Sequence, residues 1–195
     1  WRPVTESVHA HQGKIFLQIF HTGRIAMPDF LPDNVVPVAP SAVQAKGQNY
    51  TDAGMKDFVE PRALTIAEIK TTITDFETAA ANAIKAGFDG VELHAASGYL
   101  VQQFLTTNVN QRTDEYGGSI ENRIRLLREV TQAVVDAIGA DRTSVRLSPN
   151  GETQGVEDSN PIPLFTAAAA ALQDIGIAFL ELREVKPYGN FGRTE

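Results

Sequence analysis

Apolar and polar positions along this chain switch between two periods. Short apolar runs of strand length occur at Lys14 to Phe20, Gly90 to His94, Ser144 to Leu147 and Phe179 to Leu182, each bounded by turn-forming or polar residues. Between them the period lengthens. From Thr65 to Ala86, Ile66, Ile69, Ile73, Phe76, Ala80 and Ile84 recur at three- and four-residue steps, which predicts an amphipathic helix. Thr65 and Glu68 have the spacing of a capping box and Gly87 is its stop. Ile120, Ile124, Leu127, Val130, Val134 and Ile138 repeat the pattern before Gly139, and Leu164, Ala168, Ala171, Leu172 and Ile175 repeat it before Gly176. Pro3 to His11 reads as the tail of an earlier helix.

Alternation of strand and helix predicts βαβ units and a parallel sheet covered by helices. An open and a closed sheet are both compatible with the pattern. A closed eight-stranded barrel typically needs about 250 residues, and only four strands are readable here, so the chain is expected to be the middle of one larger domain. Residues 25–62 are rich in Pro, Asp and Gly and too long for an ordinary connection, which makes them a candidate lid or binding loop after the first strand. A half-closed sheet leaves strand edges that favour association, so a homo-oligomer is expected.

Composition narrows the function classes. The 195 residues are 43% hydrophobic, with net charge −7. An acidic chain lacks the clustered Lys and Arg that displace phosphate counterions, so nucleic acid is not an expected partner. No apolar run reaches 18 residues, so no membrane span is expected, and the cytosol is the default location. With no cysteine, thiol nucleophiles, disulfides and thiolate-held clusters are excluded from these residues, and redox chemistry would need a bound organic cofactor. His9 and His11 lie two apart rather than at the i, i+4 spacing of a helical metal pair, so no metal site is expected and both are read as surface residues. P-loop, Gly-x-Ser-x-Gly and Gly-x-Gly-x-x-Gly patterns are missing.

Candidate chemistry gathers just beyond the C-terminal ends of the strands, where parallel α/β folds bind ligands. His21 follows the first strand, His94 to Tyr99 the second, Ser148 to Asn150 the third and Arg183 the fourth. His94, Ser97 and Tyr99 place an imidazole, a hydroxyl and a phenol within six residues, a set able to grip a polarised oxygen and deliver a proton. Taken singly, each has an ordinary structural reading. Period-two alternation turns Gln18 and Arg146 away from their apolar neighbours and into the barrel. A buried guanidinium needs a partner, and both a carboxylate, Glu92 or Glu181, and an electron-rich ligand remain open. Glu92 and Glu181 also allow a two-carboxylate glycosidase. Arg123, Arg125 and Arg128 read as a solvated or capped helix face, and Gly117-Gly118 as a turn.

Longer motifs carry a resemblance. IFLQIFHTGR, FVEPRALTIAEI, AGFDGVELH, HAASGYLVQQFL, NVNQRTDEYGGSIENRIRLLREV, VRLSP and the tail LRE followed by NFG together resemble the Old Yellow Enzyme family of FMN-dependent ene-reductases. The likeness is to the short, single-domain members that reduce N-substituted maleimides and nitrate esters. It implies a (β/α)8 TIM barrel, with residues 1–195 as the central part of a single FMN-binding domain, about the third to sixth strands of eight. Gln18 then matches the glutamine at the flavin pyrimidine edge, and Arg146 the arginine beside flavin N1 and O2. His94 and Ser97 match the pair that binds the substrate oxygen, and Tyr99 matches the proton donor. Ser97 departs from the usual Asn or His, and Phe20 stands where some relatives have Trp. The implied reaction moves hydride from NADPH or NADH through FMN to the β carbon of an activated alkene (an enone, a maleimide or a nitro compound), with Tyr99 protonating the α carbon. The alternative is a catalytically incompetent half-barrel that needs a partner segment or self-association.

Overall fold

The computed structural model describes residues 1–150 and 153–184. In chain order it contains α1 (Arg2–Ala10), β1 (Phe16–Ile19), β2 (Val38–Ala39), β3 (Gln48–Thr51), β4 (Gly54–Asp57), β5 (Arg62–Ala63), α2 (Ile66–Lys85) and β6 (Gly90–Ala95). These are followed by α3 (Leu100–Leu105), α4 (Ile120–Arg123), α5 (Arg125–Ile138), β7 (Thr143–Leu147), α6 (Pro161–Ile175) and β8 (Phe179–Leu182). The four predicted strands form one sheet in the order β1-β6-β7-β8, parallel at every pairing. The expected parallel α/β fold is present as a four-stranded arc.

Helices cover one face of this arc. Val91, Leu93 and Ala95 on β6 and Val145 and Leu147 on β7 point to the helices, where they bury against Ile69, Phe76 and Ala80 of α2, Leu127, Val130 and Val134 of α5, and Leu164, Ala168 and Leu172 of α6. The α2 capping box is complete: the Thr65 hydroxyl accepts from the Glu68 N–H and the Glu68 carboxylate accepts from the Thr65 N–H, an arrangement worth about 1 kcal/mol. Gly176 ends α6 in the left-handed region, as its place in the sequence suggested.

Three features differ from expectation. The helix predicted over Ile120 to Ile138 is divided at Ile124 into α4 and α5. Beside the break Arg123 is buried, ion-paired with Asp158 and bonded to the Leu105 carbonyl; of the solvated or capped face expected there, the solvated alternative is corrected for Arg123, because its guanidinium has buried acceptors that one-dimensional spacing cannot reveal. Arg125 and Arg128 do lie on the exposed face. The long segment 25–62 is not featureless: it holds the antiparallel β3/β4 hairpin and a parallel β2/β5 pair. Its own small core of Ile25, Met27, Ala45 and Phe58 has Tyr99 packed against it. The short helix α3 was not predicted. The NFG motif lies outside the described residues.

The other face of the arc is its inner face. Phe16, Gln18, Gly90, Glu92, His94, Ser144, Arg146, Phe179 and Glu181 share it through the register Phe16↔Gly90, Gln18↔Glu92↔Ser144↔Phe179 and His94↔Arg146↔Glu181. At its base Phe16 and Phe179 meet with ring centroids 5.6 Å apart. Gly90 makes room for the Phe16 ring: a Cβ there would sit 2.4 Å from that ring and 2.6 Å from the Arg142 carbonyl oxygen. Gly90→Ala is therefore expected to destabilise the chain by roughly 1–3 kcal/mol through overpacking against a backbone atom. Urea denaturation measures this, and an unchanged midpoint would show that the base of the arc is loosely packed.

Candidate functional site

Above that apolar base the inner face turns polar in two steps. In the first, Gln18 Nε2 donates to Glu92 Oε1 at 2.6 Å. In the second, Arg146 Nη2 lies 2.6 Å from Glu181 Oε1 and Arg146 Nε 3.4 Å from Glu92 Oε1. The salt-bridge alternative for Arg146 is thus realised, although its Nε is buried with no hydrogen-bond partner. Burial raises the Glu92 pKa above the ordinary carboxyl range, and hydrogen bonding to Glu181 adds to the shift.

At the rim three rings assemble. Phe20 stacks on Tyr99 with centroids 5.4 Å apart and 17° between planes. His94 lies 5.3 Å from Tyr99 and 6.1 Å from Phe20. His94 is buried and its Nδ1 lacks a hydrogen-bond partner. Desolvation, then the positive charges of Arg146 and Arg183, lower its pKa from 6.5 to about 4. At neutral pH His94 is therefore an uncharged imidazole, able to donate one N–H to an oxygen without carrying a full charge. Phe20 also joins His21, Thr22, Leu31, Val35 and Val36 in walling a cavity of about 360 Å³ that His94 and Tyr99 do not line.

The turn that carries Ser97 and Tyr99 is held from below. Ser97 has φ +57°, a left-handed conformation that costs an ordinary L-residue about 1–2 kcal/mol and that Asn tolerates better. Its N–H donates to Ser148 Oγ at 3.1 Å. Two glutamines of α3, Gln102 and Gln103, are 2% and 0% exposed, and together they satisfy the turn. Gln102 Oε1 accepts from the Gly98 N–H at 2.7 Å and from Ser148 Oγ at 3.1 Å, while its Nε2 donates to the Ser148 carbonyl. Gln103 Nε2 donates to the Gly98 and Thr22 carbonyls, and its Oε1 accepts from the Arg24 N–H. These supports escaped sequence reasoning; the signal was a pair of amides inside the otherwise apolar LVQQFL.

Of the predicted residues, His94, Tyr99 and Arg146 come together at the rim, Gln18 sits one layer deeper, and Ser97 lies in the turn between His94 and Tyr99. Other rim candidates are engaged elsewhere. His21 Nδ1 accepts from the Gly23 N–H at 3.0 Å, Arg183 donates to Thr153 Oγ1 at 3.1 Å, and Asn150 approaches Glu184 at 3.5 Å. Among the described residues no cluster of three or more His, Asp or Glu is placed to hold a metal, and no helix is long and apolar enough to cross a membrane.

Residues 1–193 match the NADH:flavin oxidoreductase / NADH oxidase family. A solved old yellow enzyme homologue from Zymomonas mobilis superposes with TM-score 0.95 at 50% identity, over 100% of this chain and 54% of that one. Morphinone reductase in complex with tetrahydroNAD gives TM-score 0.90 at 42% identity, over 94% of this chain and 52% of that one. A curated relative from Leishmania infantum, a "Probable flavin mononucleotide-dependent alkene reductase", is 44% identical over 93% of this chain and 51% of its own length. The chain thus spans about half the length of these relatives.

The depressed His94 pKa has a consequence for acid stability. Between about pH 6.5 and pH 4 the unfolded imidazole takes up a proton that the folded one refuses, so the stability held above that window is lost as the pH falls through it. His94→Gln removes this contribution, and its stability should decline less on acidification than that of the parent. Urea denaturation at neutral and acidic pH compares the two; an identical decline would place His94 in a wetter setting.

Proposed function

The chain belongs to the NADH:flavin oxidoreductase / NADH oxidase family, and on that premise we propose that it works as an Old Yellow Enzyme-type ene-reductase on small activated alkenes. The observation that carries the proposal is the juxtaposition of Arg146, neutral His94 and Tyr99 on one rim, with Gln18 beneath. FMN, when bound, supplies hydride taken from NADPH or NADH. Arg146 and Gln18 are the groups that would hold its edge, and the orphaned, buried Arg146 Nε fits that role: a fixed cation with an unused donor stabilises negative charge on a reduced flavin edge.

His94 and Ser97 hold the substrate. Each donates a hydrogen bond to the carbonyl or nitro oxygen, and a donor fixed in place for the charge that develops there contributes about 2.7–4 kcal/mol to lowering the barrier. The neutral state of His94 suits this, because the donor stays in place without becoming a competing acid. Tyr99 supplies the proton at the α carbon: its phenol O–H is a donor that can be transferred to a carbanion-like centre held against it. Phe20, stacked on Tyr99 and half exposed, braces the ring plane of the phenol and presents an apolar surface beside it. In the structure Glu92 and Glu181 are tied to Gln18 and Arg146, which counts against a glycosidase acid and base.

A second reading, a half-barrel that needs a partner segment or a second copy before it is competent, is favoured by one observation. β1 and β8 are the edges of the sheet, and Phe179, Leu182 and Ile162 near the β8 side are 46%, 53% and 80% exposed. Adding FMN separates the two readings. Binding that perturbs the visible flavin spectrum and weakens by about tenfold in Arg146→Ala, as expected for one charge-assisted contact, supports the first; an unmoved spectrum supports the second.

Tyr99→Phe tests the proton donor. It should slow turnover of an enone by roughly 10²–10⁴-fold, the usual contribution of a positioned acid, while NADPH still bleaches the flavin at the parental rate. Stopped-flow absorbance resolves both, and equal slowing of both would remove Tyr99 from the donor role.

A further inference from the structure

Glu92 is not used by the steps above, yet it touches both groups assigned to the cofactor edge. Its Oε1 accepts from Gln18 Nε2 at 2.6 Å and lies 3.4 Å from Arg146 Nε. Glu181 approaches the same guanidinium at 2.6 Å from the adjacent strand. One cation thus faces two carboxyls. The other polar or charged groups around them are His94 on β6, Ser144 on β7 and Arg183 after β8. His94 is neutral, and Phe16 and Phe179 close the layer below.

We propose that Glu92 is a positioning residue whose carboxyl, wedged between Gln18 and Arg146, shares one proton with Glu181 and so holds both cofactor-edge groups in place while keeping surplus negative charge away from Arg146.

Two carboxylates on one partly buried guanidinium would leave an uncompensated charge, and the pair relieves it by retaining a proton. Exposure decides which member keeps it. The Glu92 side chain is 10% exposed and that of Glu181 40%, so the neutral form belongs on Glu92 and the ionised form on Glu181. The directions agree: burial first, then the contact with Glu181, raises the Glu92 pKa, and the hydrogen bond from Glu92 lowers that of Glu181. With Glu92 protonated these three contacts each run from a donor to an acceptor. Gln18 donates to its carbonyl oxygen, its own O–H donates to Glu181, and Arg146 donates to Glu181. Loss of the Glu92 proton leaves a carboxylate 3.4 Å from Arg146 Nε, competing with any ligand for that donor and opposing negative charge beside it.

The sign follows. A carboxyl with a raised folded pKa favours the fold fully below the unfolded value and loses that contribution as pH rises through the folded value. The inference rests on the proposed flavin site for its consequence, but not for its existence, so two measurements divide the question. Carbon-detected NMR titration of side-chain carboxyls in the chain itself, without FMN, should show Glu92 titrating above and Glu181 below a free glutamate, and the Gln18 amide signals should move with the Glu92 titration. Both carboxyls titrating as free glutamates, or a Gln18 amide that ignores them, would overturn the proton-sharing pair.

FMN titration in mildly acidic and mildly alkaline buffer then reads the consequence. Wild type should lose about three- to tenfold in affinity on the alkaline side, the equivalent of a half to one pK unit of linkage. Glu92→Gln, which keeps a neutral acceptor for Gln18, should lack that extra loss and match wild type in acid, whereas Glu92→Ala should be weak in both buffers. Equal pH dependence in wild type and Glu92→Gln would overturn the role. If wild type binds no FMN in either buffer, the ene-reductase reading fails, and the role of Glu92 at a cofactor edge fails with it, while the NMR titration still decides whether the pair exists.

Discussion

A guanidinium on the concave face of a parallel sheet has to be compensated, and the arrangement around Arg146 governs the candidate site. Strand period fixes the problem: with Val145 and Leu147 buried against the helices, Arg146 can only face inward. Parallel register then fixes the solution. Pairing of β7 with β8 sets Arg146 opposite Glu181, and pairing of β6 with β1 sets Glu92 opposite Gln18 one layer lower. The polar layer is thus a consequence of strand alignment, and no loop has to be placed accurately to create it. Burial does most to keep the His94 imidazole neutral, and the same positive charge on the strand beside it adds to the effect.

The rim itself depends on a different device. Tyr99 is offered to the pocket by a turn with two consecutive positive φ angles, at Ser97 and Gly98, and such a turn exposes backbone donors and acceptors that need partners. Gln102 and Gln103 provide them from within a buried helix. The core around Ile25, Met27, Ala45 and Phe58 presses on Tyr99 from the other side, so the long segment 25–62 acts on the phenol by packing. Strain at Ser97 and the bonds that hold the turn belong together: a non-glycine residue persists in the left-handed region where surrounding bonds over-determine it.

How much of this the sequence disclosed follows from the range of the forces involved. The four strands and helices α2 and α6 were legible because period and capping are local, and Thr65, Glu68 and Gly176 declare their roles within a few positions. The inward turn of Gln18 and Arg146 was legible for the same reason. The interruption at Ile124 was not, because what accompanies it is the burial of Arg123 against Asp158, 35 residues away. Nor were the buried amides of α3, whose partners at Thr22, Arg24 and Ser148 lie on other elements. The hairpin within 25–62 also escaped, since four-residue strands with mostly exposed side chains leave little hydrophobic alternation to read. Spacing left Arg146 undecided between a carboxylate and a ligand. Geometry gives it both openings, ion pairs to Glu92 and Glu181 and a buried Nε with no hydrogen bond.

That divided state suggests why the polar layer contains two carboxyls. Two ionised carboxylates would leave surplus negative charge opposing an anionic edge, and none would leave a guanidinium whose desolvation cost the fold has to absorb. A pair that holds one proton lies between these limits. Its net charge balances that of Arg146, its neutral member orients Gln18, and its ionised member sits on the more exposed strand, where water screens it. The cation remains partly committed and partly open, which is the electrostatic condition a site needs if it is to stay folded without its cofactor and still hold negative charge when the cofactor is reduced.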